Sequence, residues 1–343
     1  MKIAIYTITK NEQENIPSYI ENTKDADGIF IIDTGSTDST IEELKKNKVF
    51  VIKKQYKNFR FDTAYNDAIK IVPDEFDVLI SLDLDERLVE NWRELVENAT
   101  KELVENKEEF ICYHQYVNSW KDEEKTIPGI IYNRNKIHTK SIRWNYPVFC
   151  QTFPTKENTK SVLINEVFIK HYQKERQERN PLYEQIVTRA IVEEPKVADH
   201  RFSYAEMLYG NGEYYEAAKQ WIEFLNLTDP FSREYTGVAQ RRALAYINIA
   251  QCQNKLKTDN NFQLEMVLRA SGECPYFREV WVYLAQAWAN VGGVFQCTSA
   301  IETARSMNDK SRSLVIEEWC WDEEILKEIT ELAFKNDPNS IRR

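Results

Sequence analysis

Short apolar runs alternate with stretches of helical periodicity through the first half of the chain. Ile3 to Ile8 reads as a strand, the pattern breaks at Lys10-Asn11-Glu12, and Ile16, Tyr19 and Ile20 resume it at helical spacing. Asn11 with Glu14 three residues on has the form of a helix capping box. Ile29 to Ile32 gives a second strand, ending in the polar loop Asp33 to Thr40 before Ile41 and Leu44 open another helix. Val49 to Ile52 gives a third, followed by Phe59-Arg60-Phe61-Asp62 and the helical set Ala64, Ala68, Ile69 and Val72. Phe76 to Leu82 gives a fourth and runs straight into Asp83-Leu84-Asp85-Glu86. Strands alternating with helices predict an α/β domain with a mostly parallel sheet covered on both faces. Ligands of such sheets bind beyond the carboxyl ends of the strands. Asn11, Glu12, Asp33, Asp38, Asp62, Asp83 and Asp85 all fall there, so one cleft is expected to gather them.

After the acids, Trp92, Leu95, Val96, Ala99 and Leu103 make an amphipathic helix, and Phe110 to Val117 alternates as a strand. Ile130 to Tyr132 and Val167 to Lys170 are further strand-like runs, and the charged run Lys174 to Arg179 reads as a solvated linker. From Pro181 the strand signals vanish. Tyr204, Ala205, Leu208, Gly212, Tyr214, Ala217, Trp221, Phe224 and Pro230 outline a helical hairpin. Ile247, Ala250, Val267, Ala270 and Pro275 outline a second, and Trp281, Leu284, Ala285, Trp288, Gly292, Ala300, Ile301 and Ala304 a third. These units resemble tetratricopeptide repeats, whose period is about 34 residues. Leu314 to Phe334 is expected to cap the stack. The pattern therefore predicts an α/β domain over residues 1–175 and an all-α helical-hairpin domain over residues 176–343.

Composition narrows the picture. A chain of 343 residues exceeds one typical core, in keeping with two domains. No apolar run approaches a membrane span and no signal-peptide pattern opens the chain, so the expectation is a cytoplasmic protein without a membrane partner. Cys112, Cys150, Cys252, Cys274, Cys297 and Cys320 are scattered without a Cys-x-x-Cys pair, which predicts reduced, packed thiols. A net charge of −10 argues against broad binding to nucleic acid or anionic lipid. Any phosphate ligand then needs local compensation by a cation.

Asp83 and Asp85 supply a place for one. Two carboxylates at that spacing repel unless a cation sits with them, and Mg²⁺ or Mn²⁺ favours oxygen ligands. Lys10-Asn11-Glu12, Asp33-Thr34-Gly35-Ser36-Thr37-Asp38, Phe61-Asp62 with Asn66, and Leu82-Asp83-Leu84-Asp85-Glu86 together resemble the family 2 glycosyltransferases of the GT-A fold. The resemblance implies a nucleotide-sugar donor, UDP-linked by expectation, and sugar transfer with inversion. It implies that Thr7, Asn11, Glu12, Asp33, Asp62 and Asp83 hold the donor. It further implies that Asp85, with Asp83 and His171, ligates the metal, since imidazole suits Mn²⁺ alongside oxygens.

The resemblance breaks in the middle of the chain. Where relatives carry Val-His-Glu, with the acid near the acceptor, this chain has Val148-Phe149-Cys150. Three readings follow: His138 or Glu166 acts as base, the acceptor is a thiol that deprotonates more easily than an alcohol, or turnover is lost. Acceptors in view are a peptide or protein, a glycan, and a hydroxymethylated DNA base. The helical repeats are expected to brace the enzyme, to form a homodimer, or to bind an extended acceptor. The rival from another class is a non-catalytic scaffold that keeps donor binding and recruits a partner through its repeats.

Overall fold

The computed structural model describes residues 1–145, 151–154, 156–172, 181–229, 238–257, 259–310 and 315–338, without the side chains of residues 151, 153 and 165–168. The chain divides into two compact units, Met1–Glu178 and Arg179–Arg343.

The first unit is built on β1 (Ile3–Thr9), β2 (Gly28–Asp33), β3 (Phe50–Lys53) and β4 (Val78–Ser81), which pair in parallel in the order β3-β2-β1-β4. Side chains alternate between the two faces of a strand, and here both faces are apolar. Ile3, Ile5, Ile31, Val78 and Ile80 enter one core, while Ala4, Tyr6, Phe30, Ile32 and Leu79 enter another. The first core is closed by α1 (Ile16–Asn22), α2 (Thr40–Lys46) and α4 (Trp92–Glu105), which contribute Ile16, Tyr19, Leu44, Trp92 and Val96. The second is closed by α3 (Phe61–Ile71), through Tyr65, Ala68 and Ile69, and by Trp144.

Beyond β4 the sheet becomes mixed. It continues through β7 (Ile130–His138), β6 (Phe110–Val117), β10 (Lys160–His171) and β5 (Glu86–Leu88), with β4–β7, β7–β6 and β10–β5 antiparallel and β6–β10 parallel. A separate pair of short strands, β8 (Arg143–Asn145) and β9 (Gln151–Phe153), follows β7 in sequence. β5 is the departure that matters most for the site. The acids do not open a helix directly; they turn the chain so that Glu86 pairs with His171 in antiparallel register. The capping box is also absent, because α1 begins only at Ile16, and Asn11 adopts the left-handed φ of 57° that asparagine tolerates.

The described part of the second unit is helical apart from the short strand Val315–Glu317. After α5 (Pro181–Glu193), three hairpins follow: α6 (Ala198–Gly210) on α7 (Tyr214–Leu227), α8 (Val238–Lys255) on α9 (Asn260–Glu273), and α10 (Arg278–Asn290) on α11 (Val294–Ser306). Fully buried Ala205, Ala245 and Ala285 sit at matching places in the three first helices and are 40 residues apart, a longer period than the one expected. α12 (Glu323–Asn336) packs on α10 and α11 and closes the stack with Leu326, Ile329 and Ala333. The five described cysteines are free and buried, and Cys150 lies outside the described residues, as does the linker 174–179. Among the described residues no helix is long and apolar enough to cross a membrane.

Candidate active site

The polar loops at the carboxyl ends of β1, β2 and β4 are tied together by side chains. The Asn11 carboxamide oxygen accepts from the Thr37 backbone N–H at 2.8 Å, and the Asn11 N–H donates to the Ser36 hydroxyl at 2.9 Å. The Glu12 N–H donates to Thr40 Oγ1 at 2.8 Å. Asp33 is fully buried at the end of β2, and its carboxylate accepts the N–H groups of Gly35 and Ser36 at 3.0 and 3.1 Å. Thr7, at the same end of the sheet, is fully buried as well. Asp62, in the first turn of α3, is gripped by the Arg60 guanidinium through Nε–Oδ1 and Nη2–Oδ2 contacts of 3.1 and 2.9 Å.

Asp83 follows β4 and is surrounded by donors. Thr7 Oγ1 and the Tyr65 hydroxyl donate to its Oδ1 at 2.5 and 2.6 Å, and Lys136 Nζ lies 3.4 Å from Oδ2. Glu86 is almost completely enclosed and takes two 2.6 Å hydrogen bonds from the same ammonium, besides the Asp83 N–H at 2.8 Å. Burial opposes the charge on Lys136, but the Asp83 and Glu86 carboxylates outweigh it and raise its pKa, which favours the ammonium form.

Asp85 is held differently. Its carbonyl accepts the Tyr172 N–H at 2.7 Å, and the β5–β10 pairing sets its Oδ2 3.0 Å from His171 Nε2. Burial would raise the Asp85 pKa, but the hydrogen bond and charge of His171 lower it; the same bond raises His171 against its own burial. His171 Nδ1 is buried without a hydrogen-bond partner among the described residues, while Trp120 Nε1 donates to the His171 carbonyl at 2.7 Å. Both side chains stay partly open, 27% for Asp85 and 18% for His171.

No curated protein matches the chain. The model of glycosyl transferase family 2 matches residues 4–155. The first unit carries a family 2 glycosyltransferase domain. The helical unit is similar to the Yersinia enterocolitica type III secretion chaperone SycD, solved with a peptide of the translocator YopD, at 11% identity and TM-score 0.31 over 40% of this chain and 94% of that one. It is similar too to the TPR2B domain of yeast Sti1, at 16% identity and TM-score 0.31 over 40% and 96%, and to MamA, at 12% and 0.30 over 46% and 89%.

Within the family 2 domain the expected three-ligand metal set does not assemble. Among the described residues no group of three His, Cys, Asp or Glu side chains could hold a metal, because Asp83 is committed to Thr7, Tyr65 and Lys136 while Asp85 and His171 form a pair of their own. His138 lies inside the sheet. It is fully buried, its Nδ1 is bonded to the Thr139 carbonyl at 2.8 Å, and its Nε2 meets the Tyr6 hydroxyl at 2.7 Å, which in turn takes the Trp144 Nε1–H at 2.6 Å. Burial pushes its pKa down to about 4. Replacing His138 with leucine is expected to lower stability by about 1–3 kcal/mol, since the Tyr6 hydroxyl loses its acceptor. Denaturant unfolding measures that loss, and the pH–rate profile of the folded variant is expected to match the wild type. Glu166 lies in β10 where the register with β6 shifts, and its side chain is outside the described residues.

Lys136 and Tyr65 escaped the sequence reading. A cation two residues from Arg134 in a strand-like run was a signal for Lys136, but its partner Glu86 lies 50 positions away. Tyr65 sits on an apolar helical face and looks like core.

Proposed function

We propose that the chain is a glycosyltransferase that moves a sugar from a nucleotide-diphosphate donor, UDP-linked first, to an acceptor nucleophile with inversion. The observation that carries this is the Asp85–His171 pair, held 3.0 Å apart in a family 2 domain where Asp83 has the Lys136 ammonium at 3.4 Å. That separation fits a divalent ion. Neighbouring ligands of an octahedral site with bonds of about 2.1 Å stand roughly 3 Å apart, and such ions complete their shell with substrate phosphates and water. Asp85 and His171 would hold Mn²⁺ or Mg²⁺, which when bound supplies charge to the departing diphosphate.

The rest is done by the chain itself. The acceptor attacks the anomeric carbon, the bond from that carbon to the diphosphate oxygen breaks, and the nucleoside diphosphate leaves with the electron pair. The acceptor proton passes to a base or to solvent. Thr7 and Tyr65 fix Asp83, and the Asn11–Thr37 bond fixes the loop over Asp33, so these groups are held in place before a donor arrives. The site would lie in a cytoplasmic enzyme, with a peptide, a glycan or a modified DNA base as acceptor. The helical unit would brace it, pair two copies, or present the acceptor.

Hydrolysis of UDP-, GDP- and dTDP-sugars with and without Mn²⁺ tests the reading. Metal-dependent release of one nucleoside diphosphate is expected. The enclosure of His138 in the sheet favours a donor-binding scaffold as the alternative, and tight donor binding without release or transfer would identify it. Failure of every donor to bind would sink both.

A further inference from the structure

We propose that Arg134 is the residue that grips the donor's diphosphate, an assignment that rests on the transferase reading above. The β6–β7 register shifts between the Cys112–Ile137 and His114–Arg134 pairs, and Arg134 and Lys136 both come to the Tyr116 ring, each 5.7 Å from its centroid. Lys136 is spent: its ammonium makes two 2.6 Å bonds to Glu86 and one 3.4 Å contact to Asp83. The Arg134 side chain, two residues along, has no hydrogen-bond or ion-pair partner among the described residues. Its guanidinium instead rests against the rings of Tyr116 and Tyr132, 5.7 and 5.4 Å from their centroids, and remains partly exposed.

The two rings fix the guanidinium without using its N–H donors. Fixing the cation in advance lowers the cost of binding an anion, and the planar fork of donors matches phosphate oxygens in pairs. The location matches as well. The Tyr116 ring that supports Arg134 lies 5.8 Å from the His171 ring, and His171 faces Asp85. The guanidinium thus stands one aromatic ring away from the pair expected to meet the diphosphate. Asp83 and Glu86 contact the Lys136 ammonium, at 3.4 and 2.6 Å, and among the described residues no bond joins either to Arg134.

Calorimetric binding of UDP, GDP and dTDP in the presence of Mn²⁺, for wild type, Arg134→Ala and Arg134→Lys, tests the assignment, with uridine, guanosine and thymidine as controls. Arg134→Ala is expected to weaken the preferred nucleoside diphosphate roughly 10- to 100-fold. The matching nucleoside should bind as to wild type, the Mn²⁺ affinity should be unchanged, and Arg134→Lys should fall between. Equal diphosphate affinity in wild type and Arg134→Ala would overturn the assignment. Equal losses for diphosphate and nucleoside would also overturn it, because they mark a structural clamp on the two tyrosines. If wild type binds none of the three diphosphates, the transferase reading fails and the assignment falls with it.

Discussion

Asp85→Asn is expected to lower donor turnover roughly 100- to 1,000-fold, the size of effect seen when one group that stabilises transition-state charge is removed. The amide keeps the shape of the side chain and still accepts from His171, so the local fold should survive. What it loses is the negative oxygen needed by a hard divalent ion. Initial rates of donor hydrolysis across a Mn²⁺ series, with the unfolding midpoint of each protein alongside, separate lost chemistry from lost structure. A variant that keeps its midpoint and loses its rate fits the assignment. Rates within about threefold of wild type would mean that Asp85 does not serve the leaving group.

The second large effect belongs to stability. Lys136→Met removes the cation that bonds the Glu86 carboxylate, a side chain 2% exposed, and takes a neighbour from Asp83. Breaking one side of a buried ion pair typically costs about 3–5 kcal/mol, because the remaining charge is stranded away from water. Urea unfolding of the full chain should show that loss in the transition of the first unit. Adding Glu86→Gln to Lys136→Met should recover a good part of it, since the stranded charge is then gone. A single-variant loss below about 1 kcal/mol would contradict the description of Glu86 and Lys136 as a closed pair.

Much of the fold is legible in the sequence because the first strands are apolar on both faces. Ile3 to Ile8 and Phe76 to Leu82 read as buried strands, and β1 and β4 feed two separate cores. The helical hairpins are legible for a similar reason: small residues such as Ala205 and Ala285 mark where helices meet. Polar residues are harder, since their role depends on neighbours brought in from far along the chain. Asp33 has the composition of a ligand contact and is enclosed by its own loop. His138 has the chemistry of a base, yet both of its ring nitrogens are spent inside the sheet. The Asp83-x-Asp85 spacing suggests a shared cation, and Lys136, arriving on β7, places an ammonium 3.4 Å from Asp83 that the spacing does not reveal. The pairing of Asp85 with His171 is a matter of β5–β10 register, which no local pattern specifies.

The central claim is that Asp85 and His171 together hold a divalent ion under the donor's diphosphate. Pulsed electron paramagnetic resonance of Mn²⁺ added to the protein with UDP, GDP or dTDP tests it most directly. The expected spectrum carries nitrogen coupling from the His171 ring and phosphorus coupling from the diphosphate, with the nitrogen signal lost in His171→Ala. Bound Mn²⁺ without nitrogen coupling, or a nitrogen signal that survives in His171→Ala, would contradict the claim.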